Sequence, residues 1–138
     1  LDAAGVAAGE EGVTSTLAIA VSLVLATESQ YGRHAHDSDH GRAVGIAQAW
    51  PVAVRECNRI AGTHYTLQDR RDPLKSVRMV ELTLAYHLRH HPHLDAVHLA
   101  AKWRNPYSIA PAWHVARLKK CLHTNRNGRN VEDERRGL

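Results

Sequence analysis

One carboxylate stands where this chain could build a general acid. Glu28 follows residues 17–26, LAIAVSLVLA, which are apolar except for Ser22. A helix that is apolar all round is normally buried. Glu28 would then sit at the C-terminal end of a buried helix. Burial disfavours the carboxylate anion, and the helix C-terminus carries partial negative charge, so both effects raise the pKa. A carboxyl group kept protonated near neutral pH can protonate a leaving group. The plainer alternative is a solvated glutamate in a last helical turn.

Other residues have side chains suited to a polar ligand. The amides of Gln48 and Asn105 can donate and accept hydrogen bonds. Trp103 and Tyr107 can stack on sugar faces. Trp50, beside Pro51, reads better as packing. Tyr86, late in a long helical pattern, could reach Glu28. Asp37 and Asp39 are the available bases for a hydrolytic water, or else simple turn formers.

The window HAHDSDH holds His34, His36 and His40 with both aspartates. Histidines and a carboxylate can ligate zinc, yet a loop spacing without a helical HExxH sets no geometry, and no metal or other cofactor is expected. His87, His90, His91, His93 and His98 form a second cluster. Solvated histidines would gain positive charge as the pH falls toward 6 and strengthen binding to an anionic wall.

The elements that must hold these residues are helical. The central helix is expected over 14–29, capped by Thr14 or Ser15, after a lead-in at 1–12. A long polar loop, or a short hairpin within 33–45, should follow; loops of this length are disproportionately functional. Gly45-Ile46-Ala47-Gln48 reads as a turn of helix. A helix then opens with Pro51 in its first position and stops at Gly62. Asp72-Pro73 is a cap followed by a first-turn proline, opening a helix over 73–89. Val77, Val80, Leu84 and Leu88 share a face, with Leu74 and Met79 nearby. Shorter helices are expected over 94–103 and from Pro111 to 122, and the polar tail 123–138 should be mobile. No strand pattern is evident. The fold class is all-α.

Bulk properties agree with one globular domain of 138 residues. No Lys or Arg precedes Arg33, while residues 33–122 carry 14 Lys/Arg against 7 Asp/Glu. An isoelectric point near 9.4 suits an acidic polymer or anionic surface. No aromatic-basic motif or basic recognition helix marks a specific nucleic-acid binder. The ten-residue apolar run is too short for a membrane span. Its acidic flank is unlike a signal peptide. Cys57 and Cys121 could pair in an exported protein or remain thiols, and two thiols is the favoured reading.

Taken in order, four motifs resemble the lysozyme-like superfamily, in particular the soluble lytic transglycosylase and goose-type lysozyme domains. They are Glu28-Ser29 after a buried helix, Gly45-Ile46-Ala47-Gln48 followed by Trp50-Pro51, the Asp72-Pro73 helix with Tyr86-His87-Leu88, and Trp103-Arg104-Asn105-Pro106. The resemblance covers residues 13–122 and implies a lysozyme-like fold with Glu28 as its single catalytic acid. It implies that Ser29 holds substrate or the glutamate, that Gly45 and Gln48 line the cleft, and that Trp103 stands before a cleft asparagine. That asparagine is Asn105 with a one-residue shift, or Arg104 occupies its place. Ala47 replaces a usually larger residue. The implied activity is cleavage of the MurNAc–GlcNAc bond of peptidoglycan, as a lytic transglycosylase or a lysozyme. The alternative is a glycan-binding module of the same fold that lacks full activity. The implied partner is the peptidoglycan glycan strand. A monomer in the cell envelope or outside the cell, or borne by a phage, is the corresponding expectation, with any leader outside this chain.

Overall fold

A computed structural model describes the backbone of residues 3–124 and the side chains of residues 15–124. Its helices are α1 (Ala3–Ser29), α2 (Pro51–Ala61), α3 (Pro73–His90), α4 (Ala96–Ala101) and α5 (Ala112–Leu122), with a 3-10 helix over Leu67–Arg71 before α3. Among the described residues two isolated antiparallel bridges, Ser38 with Ala43 and Val44 with Ala49, are the extent of strand pairing. The chain is all-α, and none of its described helices is long and apolar enough to cross a membrane. The expected mobile tail lies, beyond Thr124, outside the described residues.

α1 is longer than expected. It is one helix from Ala3, with no break or cap at Thr14 or Ser15 and no separate lead-in. The small residues between its glycines have good helix propensity, so the pattern continues. α1 packs against α3, α4 and α5, while α2 packs against α3. Ala20, Val21, Leu23 and Val24 join Met79, Val80, Leu84, Leu88, Leu99 and Leu118 in one core. The helix is not buried on every side: Ala18 and Ile19 are exposed. Its polar Ser22 bonds the hydroxyl of Tyr31 at 3.0 Å.

The other boundaries follow local chemistry. Pro51 opens α2, and Gly62, in the left-handed region at φ 66°, ends it. The Asp72 carboxylate accepts from the backbone N–H of Leu74 and Lys75 at the start of α3. Leu74 lies off the core face and is 83% exposed. The 3-10 helix is held by a reciprocal cap between Thr66 and Asp69. Cys57 and Cys121 are free thiols.

Candidate active site

Glu28 lies in the last turn of α1, where the helix meets α4 and α5. Its side chain is 7% exposed and pairs with Arg104, Nε to Oε1 at 2.9 Å. Burial pushes its carboxyl pKa above the ordinary 4.5, against the opposing pull of Arg104 and Arg117; Asp39 adds a further push upward. Arg117 is anchored beside it by donating to the Thr27 carbonyl at 3.0 Å. Desolvation thus outweighs two guanidinium groups, which is the environment a proton donor requires.

Ser29, next to the acid, is 1% exposed. Its hydroxyl donates to the Ile46 carbonyl at 2.6 Å and accepts from the Gly32 N–H at 2.9 Å. It therefore staples the end of α1 to the 45–48 turn and does not face the cleft. That turn is not helical. It is closed by the Val44–Ala49 bridge, with Gly45 at φ 81° and Gln48 at φ 48°. A left-handed conformation is costly for a residue other than glycine. The Gln48 side chain offsets it by donating to the carbonyls of His36 (3.0 Å) and Gly45 (2.9 Å) and accepting from Ser38 (2.6 Å).

Beside Arg104 opens a cleft of about 590 Å³. Gln48, Trp103, Asn105 and Tyr107, all expected at the site, line it, as do Asp39 and Arg104. Trp103 is buried, with its indole N–H donating to the Ala47 carbonyl at 2.8 Å. The alternatives for the cleft asparagine are thus both present on one wall. Trp50 also lines the cleft, 36% exposed, with the Arg42 guanidinium 4.8 Å from its ring centre. It is a cleft residue rather than simple packing.

Four residues singled out from the sequence do not line this cleft: Glu28, Ser29, Gly45 and Tyr86. Glu28 reaches its edge through Arg104. Gly45 supports the turn from behind. Tyr86 lies against His90 with ring centres 4.3 Å apart and ring planes tilted by 49°, on another part of α3. Asp37 is held by Arg71 at 3.0 Å on the surface, which leaves Asp39 as the loop carboxylate of the cleft. Among the described residues no three His, Cys, Asp or Glu side chains gather as a metal-binding group.

Glu56, Lys102 and Trp113 are lining residues that the sequence reading did not single out. Glu56 accepts bonds from Arg59 and Tyr107, and this pairing holds its pKa below the ordinary value. Trp113 is 57% exposed, and its place just after Pro111 at a helix start was the one available signal. Arg70 went unnoticed too. Its buried guanidinium donates to the carbonyls of Arg42 and Ala49 (2.9 and 3.0 Å), gripping the loop that forms the cleft wall.

The cleft therefore gathers four aromatic side chains and two amides, with a nearly dry carboxyl behind its Arg104 wall. Aromatic faces and amides of this kind can stack on and hydrogen-bond a polar ring ligand. Comparisons of the chain with protein-family models, with curated proteins and with solved structures found no match.

Proposed function

We propose that this protein cleaves the MurNAc–GlcNAc glycosidic bond of peptidoglycan, on a lysozyme-like fold, with Glu28 as general acid and then base. The observation that carries the reading is a desolvated carboxyl with a raised pKa at the edge of an aromatic-lined cleft. Trp50, Tyr107 and Trp113 would stack on sugar rings over the buried Trp103, and Asn105 would bond an N-acetyl group, with Gln48 holding the turn beneath.

The chemistry needs only Glu28 on the transglycosylase route. Its proton passes to the glycosidic oxygen as the C1–O bond breaks through an oxocarbenium-like state. The C6 hydroxyl of the muramic ring then closes on C1, and its proton returns to the Glu28 carboxylate. The product is a 1,6-anhydro sugar and no water is consumed. A lysozyme-type outcome would route water through a second carboxylate, for which Asp39 at the cleft is the available group.

A second reading is a glycan-binding module, favoured by the Arg104–Glu28 ion pair that occupies the acid in the free protein. One experiment separates them. Purified cell wall is incubated with the protein and with Glu28→Gln, and released muropeptides are read by mass spectrometry. Anhydro ends from the wild type, falling at least about 100-fold in the variant, support the transglycosylase. Reducing ends indicate hydrolysis. Wall binding without release indicates a binding module, and release undiminished in Glu28→Gln overturns the glutamate mechanism.

A further inference from the structure

Arg104 stands between Glu28 and the cleft. Its Nε donates to the carboxylate at 2.9 Å, its side chain is 41% exposed, and its guanidinium carbon lies 5.8 Å from the ring centre of Trp113. Arg104 lines the cleft and Glu28 does not. An acid cannot protonate an oxygen it does not touch. If Glu28 reacts, the guanidinium must first leave it.

Leaving has a cost on both sides. The Arg104 side chain is 41% exposed, so water can solvate it when it leaves Glu28, but an ionised acceptor makes a stronger bond to it than water or a neutral hydroxyl does. Arg117 cannot stand in from the cleft side, because it is bound to the Thr27 carbonyl and does not line the space. Lys102 does line it, together with Asp39 and Glu56; Glu56 is already engaged by Arg59 and Tyr107, which leaves Arg104 as the cleft cation next to the acid. The matching ligand group is an anion, and the planar fork of arginine fits a carboxylate best.

We propose that Arg104 recognises a carboxylate carried by the saccharide itself, so that the site selects acidic glycans and uncovers Glu28 only when one is bound. This rests on the reading of Glu28 as the acid. The substrate class is a glycan with a free sugar-borne carboxylate. The lactyl group of muramic acid supplies one where no peptide is attached, and a uronic acid supplies another. The exposed ring of Trp113 gives the guanidinium a surface to slide along as it turns from Glu28 to the ligand.

The transfer also changes the proton state of the acid. The charged groups facing Glu28 are Arg104 from the segment after α4, Arg117 from α5 and Asp39 from the loop after α1. His114 of α5 lies by the same two arginines, and burial, then Arg104 and Arg117, push its pKa below the ordinary value. Once Arg104 pairs with the ligand, the larger of the two guanidinium effects that oppose burial is withdrawn, so the Glu28 pKa moves further upward and favours the protonated form that can donate.

Binding measured without turnover tests this. N-acetylmuramic acid, N-acetylglucosamine and glucuronic acid are titrated by NMR into the wild type, Arg104→Gln and Arg104→Lys. N-acetylmuramic acid should bind the wild type at least tenfold more tightly than N-acetylglucosamine. Arg104→Gln should bring the two within twofold of each other, and Arg104→Lys should restore part of the gap. Glucuronic acid matching N-acetylmuramic acid assigns the contact to any ring-borne carboxylate. Glucuronic acid binding like the neutral sugar assigns it to the lactyl group. The Glu28 carboxyl ¹³C shift at pH 6 should move toward its protonated value with N-acetylmuramic acid alone. Equal affinities in the wild type, a preference that survives in Arg104→Gln, or a stationary Glu28 signal overturns the proposal. These outcomes are independent of muropeptide release, so failure here and failure of the Glu28 mechanism are told apart.

Discussion

Gly45 and Arg70 are in such close contact that a Cβ built on residue 45 would stand 1.9 Å from the Arg70 carbonyl oxygen. That carbonyl also accepts from the Ser76 hydroxyl at 2.8 Å, which ties it to α3. The backbone of the 45–48 turn is thus pressed against the segment that carries the loop-gripping guanidinium. Gly45→Ala should destabilise the protein by about 3 kcal/mol, from the clash together with the left-handed φ. Urea unfolding measures this, and a loss under about 1 kcal/mol would show that the turn gives way.

Glu28 should make stability depend on pH in a definite direction. Its folded pKa lies above the ordinary 4.5, so the folded state holds the proton more tightly than the unfolded chain. The contribution is full below the unfolded pKa and is lost as the pH rises through the folded pKa. Glu28→Gln, which carries no titrating proton, should therefore gain on the wild type as the pH rises from 4 toward neutrality. Paired urea melts across that range test it; a wild-type advantage that grows with pH contradicts it.

His87 should act in the opposite sense. It is 2% exposed, and its Nε2 has no hydrogen-bond partner among the described residues. Burial lowers its pKa from 6.5 to about 4, helped by Lys102, His91 and His90 and opposed by Glu56. The stability it confers as a neutral ring is present above 6.5 and disappears as the pH falls toward 4, on the order of 2–3 kcal/mol over the window. His87→Leu should flatten this part of the stability profile, provided the variant keeps its helical circular dichroism. An unchanged acid slope in a folded variant would count against the buried neutral histidine.

Trp113 should matter for ligand and little for folding. It is 57% exposed and lines the cleft. Trp113→Ala should weaken binding of a chitooligosaccharide by roughly tenfold, the effect of one lost aromatic face. Its melting temperature should stay close to that of the wild type. Isothermal titration reads the first and calorimetry the second; unchanged affinity would remove the ring from the sugar surface.

Much of the helical frame was legible because its signals are local. Pro51 and Gly62 bound α2, and Asp72 with Pro73 starts α3, through bonds that span a few residues. The apolar period of α3 placed Val80, Leu84 and Leu88 in the core, although Leu74 at the helix start lies on the outer side of the first turn and is 83% exposed, while Ser76 of the same turn is buried against Arg70. Glu28 drew attention by standing at the end of an apolar run, and its burial and raised pKa agree with that reading.

The sequence by itself therefore determined where α2 and α3 start, the apolar face of α3, and which carboxylate ends the apolar run of α1, but not where α1 begins. Tertiary structure decided what surrounds that carboxylate. Arg104 is 76 positions from Glu28, Arg117 is 90 positions from Thr27, and Arg70 reaches back to Arg42 and Ala49. No local pattern encodes such pairs, because an ion pair or a buried guanidinium bond depends on helices meeting in space. The same holds for Ser29, which the motif order set beside substrate and which packing turned inward to the Ile46 carbonyl.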